Sequence, residues 1–204
     1  MKIIGITGPT GAGKTTVLNA LADLGGAIID CDAVYHDLLR ENKEMLGKLR
    51  ERFGDDVFLP DGSLDRKALG AIVFSDPQAL KELNGITHRY VGIEVGRLLA
   101  KAETENRVAA AVDAIGLLEG GLKDKCELLL AVVAPPEIRV ERIMAREGIS
   151  REYAQSRVNA QKPNSYFEER CHKTFDNNYS SAEEARASAR ELFEEILKEG
   201  LKHE

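Results

Sequence analysis

Gly8-Pro9-Thr10-Gly11-Ala12-Gly13-Lys14-Thr15 decides the fold of this chain. The stretch matches the spacing GxxxxGK[ST] in full, with an apolar run over 2–7 before it and an amphipathic pattern over 14–24 after it. Glycines let backbone N–H groups turn inward around phosphate oxygens, and the N-terminus of the following helix adds partial positive charge at the same place. The nucleotide-binding set is therefore expected in Gly11, Ala12, Gly13, Lys14, Thr15 and Thr16. Lys14 is expected to reach the β- and γ-phosphates of ATP, and the Thr15 hydroxyl to ligate Mg²⁺.

Five short apolar runs read as strands, over about 2–7, 26–30, 107–113, 127–133 and 173–177. They are mostly continuous rather than alternating, as strands buried on both faces are. Helical patterns separate them, so the class is α/β: a P-loop NTPase fold with a five-stranded parallel sheet flanked by helices. The helix over 14–24 carries Val17, Leu18, Leu21 and Leu24 on one side, and Ser181 followed by Glu184 reads as a capping box opening the last helix. That helix sets Leu192, Phe193, Ile196 and Leu197 on one stripe.

Two segments exceed a minimal five-strand unit. Residues 33 to 100 form a long helical connection with a turn at Pro60-Asp61-Gly62-Ser63 and a break at Ser75-Asp76-Pro77. Residues 138 to 165 form an arginine-rich helical excursion that stops near Pro163. Long insertions in compact domains are usually functional. The expected division is a nucleotide-binding core (1–32, 101–137 and 166–204), a helical acceptor lobe (33–100) and a helical lid (138–165), forming one compact unit.

Composition excludes several classes. A net charge of −6 argues against a nonspecific nucleic-acid binder, and 43% hydrophobic with 30% charged residues is an ordinary water-soluble profile. Cys31, Cys126 and Cys171 show no CxxC spacing, which excludes a zinc finger or a disulfide scaffold and suits a reducing, cytoplasmic setting. No stretch approaches the roughly 20 apolar residues of a membrane span. The opening run is too short for a signal peptide.

Three further sites carry chemistry. A guanine-reading Asn-Lys-x-Asp is absent, and Asp113-Ala114-Ile115-Gly116, which has the Asp-x-x-Gly spacing of a γ-phosphate switch, stands without other switch features, so a GTPase reading is weakened. At the end of the second strand, Ile28-Ile29-Asp30-Cys31-Asp32 lies on the edge where ligands collect in parallel sheets, with His36 one helical turn beyond Asp32. Asp32 can accept the proton of an attacking hydroxyl or orient it; the position equally suits a helix N-cap, and the two roles can coexist. Arg139, Arg142 and Arg146 fall at i, i+3 and i+7 on one helical face, either aimed at a phosphate tail or solvated and balanced by Glu137 and Glu141. Arg157 and Gln161 share another face before Pro163.

These blocks, in this order, resemble the dephospho-coenzyme A kinases through nearly the whole chain. The likeness runs from the glycine loop through Asp30-Cys31-Asp32 with His36, Gly62-Ser63-Leu64-Asp65-Arg66 with Val73-Phe74, and Leu83-Asn84 with His88, to Arg142, Arg146 and Gln161 and the Asp176-Asn177-Asn178 stretch. The resemblance implies transfer of phosphate from ATP, with Mg²⁺, to the 3′-hydroxyl of dephospho-coenzyme A. It implies catalytic roles for Asp32, Lys14 and Arg142, and acceptor contacts from Asp32, His36, Arg66 and His88. It further implies lid positions at Arg139, Arg146 and Gln161, and an approach of Asn177 to the adenine. The chain departs from the family pattern at Arg89, where proline is usual, and at Ile115-Gly116-Leu117-Leu118-Glu119, which replaces a proline-led segment. Two other readings remain beside it: a different P-loop small-molecule or nucleoside monophosphate kinase, and a nucleotide-gated binding module.

Overall fold

A computed structural model describes residues 1–200. The sheet has the order β2-β3-β1-β4-β5, formed by β1 (Lys2–Thr7), β2 (Ala27–Asp30), β3 (Ala109–Asp113), β4 (Leu128–Val133) and β5 (Lys173–Asp176). β1 pairs in parallel with β3 (Ile4 opposite Ala111) and β4 (Ile6 opposite Leu130), and β4 with β5 (Val132 opposite Phe175). The strand order reverses around β1, so the loop that leaves its carboxyl end opens at the switch point where parallel sheets bind ligands.

The contacts separate two compact units, 1–29 with 99–204 and 30–98, where the sequence reading has one. In the first, alternate strand residues Ile4, Ile6, Ala111, Leu130, Val132 and Phe175 face one side. There they meet Val17, Leu18 and Leu21 of α1 (Lys14–Asp23) and Phe193 and Ile196 of the C-terminal helix (Ala182–Gly200). The expected stripe of the C-terminal helix is thus buried, and Leu192 and Leu197 pack at its margin. Its capping box is half made: Ser181 Oγ accepts from the Glu184 N–H at 3.1 Å, while the Glu184 carboxylate takes the Ser180 hydroxyl instead. The other face of β1 is pressed so closely by Leu117, Cys126 and Leu129 that a side chain on Gly5 would meet all three below 3.0 Å.

The second unit is helical: α2 (Cys31–Glu41), α3 (Lys43–Phe53), α4 (Arg66–Val73) and most of α5 (Pro77–Thr104). Polar caps set its boundaries. Asn42 accepts from the Met45 N–H at 2.8 Å and Asp65 from the N–H groups of Lys67 and Ala68. At the expected break, Asp76 accepts from the Gln78 N–H and Pro77 takes the first helical position, where a missing N–H costs nothing. Met45, Leu49, Val57, Leu69 and Val73 are buried in this unit.

The arginine-rich excursion is made of three helices: α6 (Pro136–Glu147), α7 (Arg151–Asn159) and α8 (Asn164–Glu168). It belongs to the first unit. Val140 and Ile143 pack against Ala154 and Val158 in a small core of their own. With α1 to α8 assigned, the C-terminal helix is α9.

Burial pushes the thiols of Cys126 and Cys171 up to about 11. Both should therefore alkylate with iodoacetamide at pH 8 about a hundredfold more slowly than a free thiol, because only the thiolate reacts. Mass mapping of the labelled protein over time checks this; rapid labelling of either residue contradicts it.

Candidate functional site

The glycine loop is shaped by the strand behind it and the helices around it. A side chain on Gly8 (φ 146°) would collide with the Val132 carbonyl of β4. One on Gly13 (φ 92°) would collide with the Asn177 amide, so only glycine fits either position. The loop closes on itself through Ala12 N–H to the Pro9 carbonyl, 3.2 Å, and α1 starts with Thr16 N–H on Gly13, 3.0 Å. The N–H groups of Gly11, Gly13 and Thr15 donate to no carbonyl among the described residues. They form a concave set of donors at a helix N-terminus, which suits an anion.

The direction of these donors has a cause. Asn177 is 2% exposed and its Nδ2 donates to the Ala12 carbonyl at 2.8 Å; Arg142 Nη1 donates to the same oxygen at 3.3 Å. In a trans peptide the C=O and the following N–H point opposite ways. Holding the Ala12 carbonyl outward therefore aims the Gly13 N–H into the loop. Arg142 Nη2 also reaches the Asn177 and Tyr179 carbonyls at 3.3 and 3.4 Å, tying α6 to the segment after β5. Asn177, for which the resemblance implies an approach to the adenine, turns its side chain to the loop. It still borders a cavity of about 500 Å³ lined by Gly13, Thr16, Ile138, Arg142, Asn177 and Tyr179.

The three arginines of α6 do not share one fate. Arg139, expected on a lid face, is 2% exposed: Nε donates to the Thr10 carbonyl at 2.9 Å and Nη2 to Gln161 Oε1 at 2.7 Å. Gln161 Oε1 also accepts from the Thr10 N–H at 2.9 Å. Arg146 lies outward and pairs with Glu147 at 2.6 Å, the solvated alternative. Equal angular position hides the difference, which is axial: α6 begins beside the loop and runs past it. Among the described residues neither Arg139 nor Arg142 forms an ion pair, and burial lowers the proton affinity of both guanidinium groups. Two uncompensated cations beside a donor-lined loop complement a polyphosphate.

Lys14 Nζ donates to the Gly8 carbonyl at 2.8 Å, lying back over its own loop. Thr15 is exposed and its hydroxyl makes no hydrogen bond among the described residues. Asp113 ends β3, half-buried.

In the helical unit, Asp30 is the N-cap of α2: its Oδ1 accepts from the N–H groups of Asp32 and Ala33 at 2.9 and 3.0 Å. The cap alternative for Asp32 is thereby overturned. Asp32 lies in the first turn of α2, exposed, and its carboxylate has no hydrogen bond or ion pair among the described residues. His36 Nδ1 meets Arg66 Nη2. Arginine can only donate, so Nδ1 carries the lone pair and the ring proton sits on Nε2. Asp65 caps α4 and so points Arg66, its first residue, toward this pairing. His88 is exposed on α5 and is not brought into it. Sequence reasoning left out Tyr179 and Ile138 as cavity walls; the only signal was their position beside the Asn177 stretch and the head of α6.

Comparison with known proteins agrees with this geometry. The family model described as dephospho-CoA kinase matches residues 2–183. The dephospho-CoA kinase of Dehalococcoides mccartyi is 39% identical over 161 residues, 79% of this chain and 81% of that protein. That of Corynebacterium efficiens is 35% identical over 194 residues, 95% of this chain and 96% of the relative. The structure of the dephospho-CoA kinase from Campylobacter jejuni superposes with a TM-score of 0.71 at 26% identity, over 98% of this chain and all of that one. Among the described residues no helix is long and apolar enough to cross a membrane. With a phosphate loop flanked by two unpaired arginines and a family match spanning most of its length, this chain belongs to the dephospho-CoA kinase family.

Proposed function

We propose that this chain transfers the γ-phosphoryl group of ATP to the 3′-hydroxyl of dephospho-coenzyme A, giving coenzyme A and ADP. The observation that carries the reading is the loop: N–H donors at Gly11, Gly13 and Thr15 without a carbonyl partner, beside Arg139 and Arg142, which form no ion pair among the described residues. The acceptor oxygen attacks the γ-phosphorus, the bond from that phosphorus to the β–γ bridging oxygen breaks, and ADP leaves. Asp32, whose carboxylate is unpaired, takes the hydroxyl proton or orients the O–H. Arg142 and Lys14 answer the charge that develops on the transferred group. Arg66, His36 and His88 in the helical segment 33–100 hold the acceptor, and α6–α8 cover the donor to exclude water.

The nucleotide comes with Mg²⁺ in this reading. The residues fit a hard, largely hydrated ion: the Thr15 hydroxyl is exposed and unbonded, and no group of three or more His, Cys, Asp or Glu among the described residues could hold a metal by itself. When bound, the ion supplies charge neutralisation on the phosphate oxygens. The reading carries a cytoplasmic location with it, supported by the thiols of Cys126 and Cys171, neither of which is in a disulfide.

Release of ADP measured with and without dephospho-coenzyme A tests the proposal. Strong stimulation by that acceptor is expected. Stimulation by another hydroxyl compound alone points to a different small-molecule kinase, and slow release unchanged by any acceptor points to a nucleotide-gated module.

A further inference from the structure

We infer that Arg139 and Gln161 are a positioning pair that clamps both main-chain polar groups of Thr10 and thereby aims the Gly11 N–H at the phosphates. The inference rests on the reading of the loop as the ATP site. Three hydrogen bonds close a ring: Thr10 N–H to Gln161 Oε1 at 2.9 Å, Arg139 Nε to the Thr10 carbonyl at 2.9 Å, and Arg139 Nη2 to Gln161 Oε1 at 2.7 Å. Both neighbours of the Gln161 amide are donors, so its oxygen must face them.

The consequence follows from peptide geometry. Arg139 holds the Thr10 carbonyl away from the loop centre, and the Gly11 N–H on the same planar peptide must point the opposite way. That N–H has no carbonyl partner among the described residues. Arg139 cannot itself touch a bound phosphate as readily as Arg142, because it is 2% exposed and sits behind the loop. The α6 backbone at Arg139 lies directly against Gly11, where an added side chain would come within 2.8 Å of the Arg139 carbonyl oxygen. The clamp uses only the main chain of Thr10, so the motif leaves that position unspecified while the loop shape depends on it. Gln161 lies beyond α7 and Arg139 on α6, so the base of the excursion and the phosphate loop are one hydrogen-bonded assembly.

The test compares wild type with Gln161→Met, which keeps the length of the side chain and removes the acceptor oxygen, and with Gln161→Glu, which restores an oxygen at that place. ATP binding is measured by calorimetry without acceptor, and KM for each substrate by steady-state kinetics. Gln161→Met should weaken ATP binding about tenfold and leave the KM for dephospho-coenzyme A unchanged, since a donor pair loses its acceptor. Gln161→Glu should recover most of the loss. Amide exchange at Thr10 should speed up in Gln161→Met alone. Should Gln161→Met not fold, Gln161→Asn, which draws the oxygen back by one methylene, carries the same expectations. A folded Gln161→Met or Gln161→Asn that binds ATP like wild type overturns the clamp, as does a Gln161→Glu no better than Gln161→Met. A wild-type protein that binds no ATP at all overturns the site reading itself, and the clamp with it.

Discussion

Asp32→Asn is expected to lower kcat by about 10²–10⁴-fold while the KM for ATP stays within about twofold. Two aspartates separated by one residue make this a clean experiment. Asp30 holds the N-terminus of α2 through the N–H groups of Asp32 and Ala33. Asp32 gives that cap only its N–H, and its carboxylate is exposed without a partner among the described residues. Removing the charge at 32 is therefore expected to lower the rate and to cost at most about 0.3–1 kcal/mol of stability through the helix dipole. Asp30→Ala should do the reverse, costing about 1 kcal/mol of stability, the usual loss for an aspartate cap. Thermal melts alongside rates separate the two. An Asp32→Asn protein that turns over near the wild-type rate ends the catalytic assignment, and one that melts much earlier shows a structural role the hydrogen bonds do not contain.

Lys14→Met should be the second large effect, with kcat/KM for ATP falling about 10²–10³-fold and the fold intact. The loop geometry does not depend on this side chain for its backbone path: Gly8 is fixed by β4, Gly13 by Asn177, and the Ala12 carbonyl by Asn177 and Arg142. What Lys14 adds is an ammonium at the loop, bonded to the Gly8 carbonyl at 2.8 Å, which is expected to turn to an arriving phosphate. Methionine keeps the apolar stem and deletes the charge. The loss should appear in the chemical step as well as in binding, because positive charge matters most as the γ-phosphoryl group separates. Steady-state kinetics with direct ATP titration checks this. Unchanged kcat/KM would place the functional cation elsewhere.

The features readable from sequence are those whose chemistry is local. A phosphate loop needs its glycines and lysine at fixed spacing, and buried parallel strands need continuous apolar runs, so β1, the loop and α1 were all specified by adjacent residues. The stripe of α9 was equally plain, since Phe193 and Ile196 have no other use than burial. Asp30 and Asp32 were not separable: either can precede a helix, and only the φ, ψ path of the chain decides which one caps it. Arg139 and Arg146 share an angular face, so periodicity treated them alike. Their difference arises from distance along α6, with one end against Thr10 and the other beyond the core. Arg139 and Gln161 stand out in the sequence only as lid positions; their meeting at Thr10 has no sequence signal, because it joins main-chain atoms to side chains 129 and 151 residues away. Tertiary approach creates such sites, and no window of sequence contains them.

The central claim is that phosphate from ATP ends on one ribose oxygen. Phosphorus NMR of the product formed from ATP and dephospho-coenzyme A tests it most directly. A new phosphomonoester signal coupled to the ribose H3′, appearing in step with ADP, is the predicted result. ADP without that monoester, or a phosphate on any other oxygen, would contradict it.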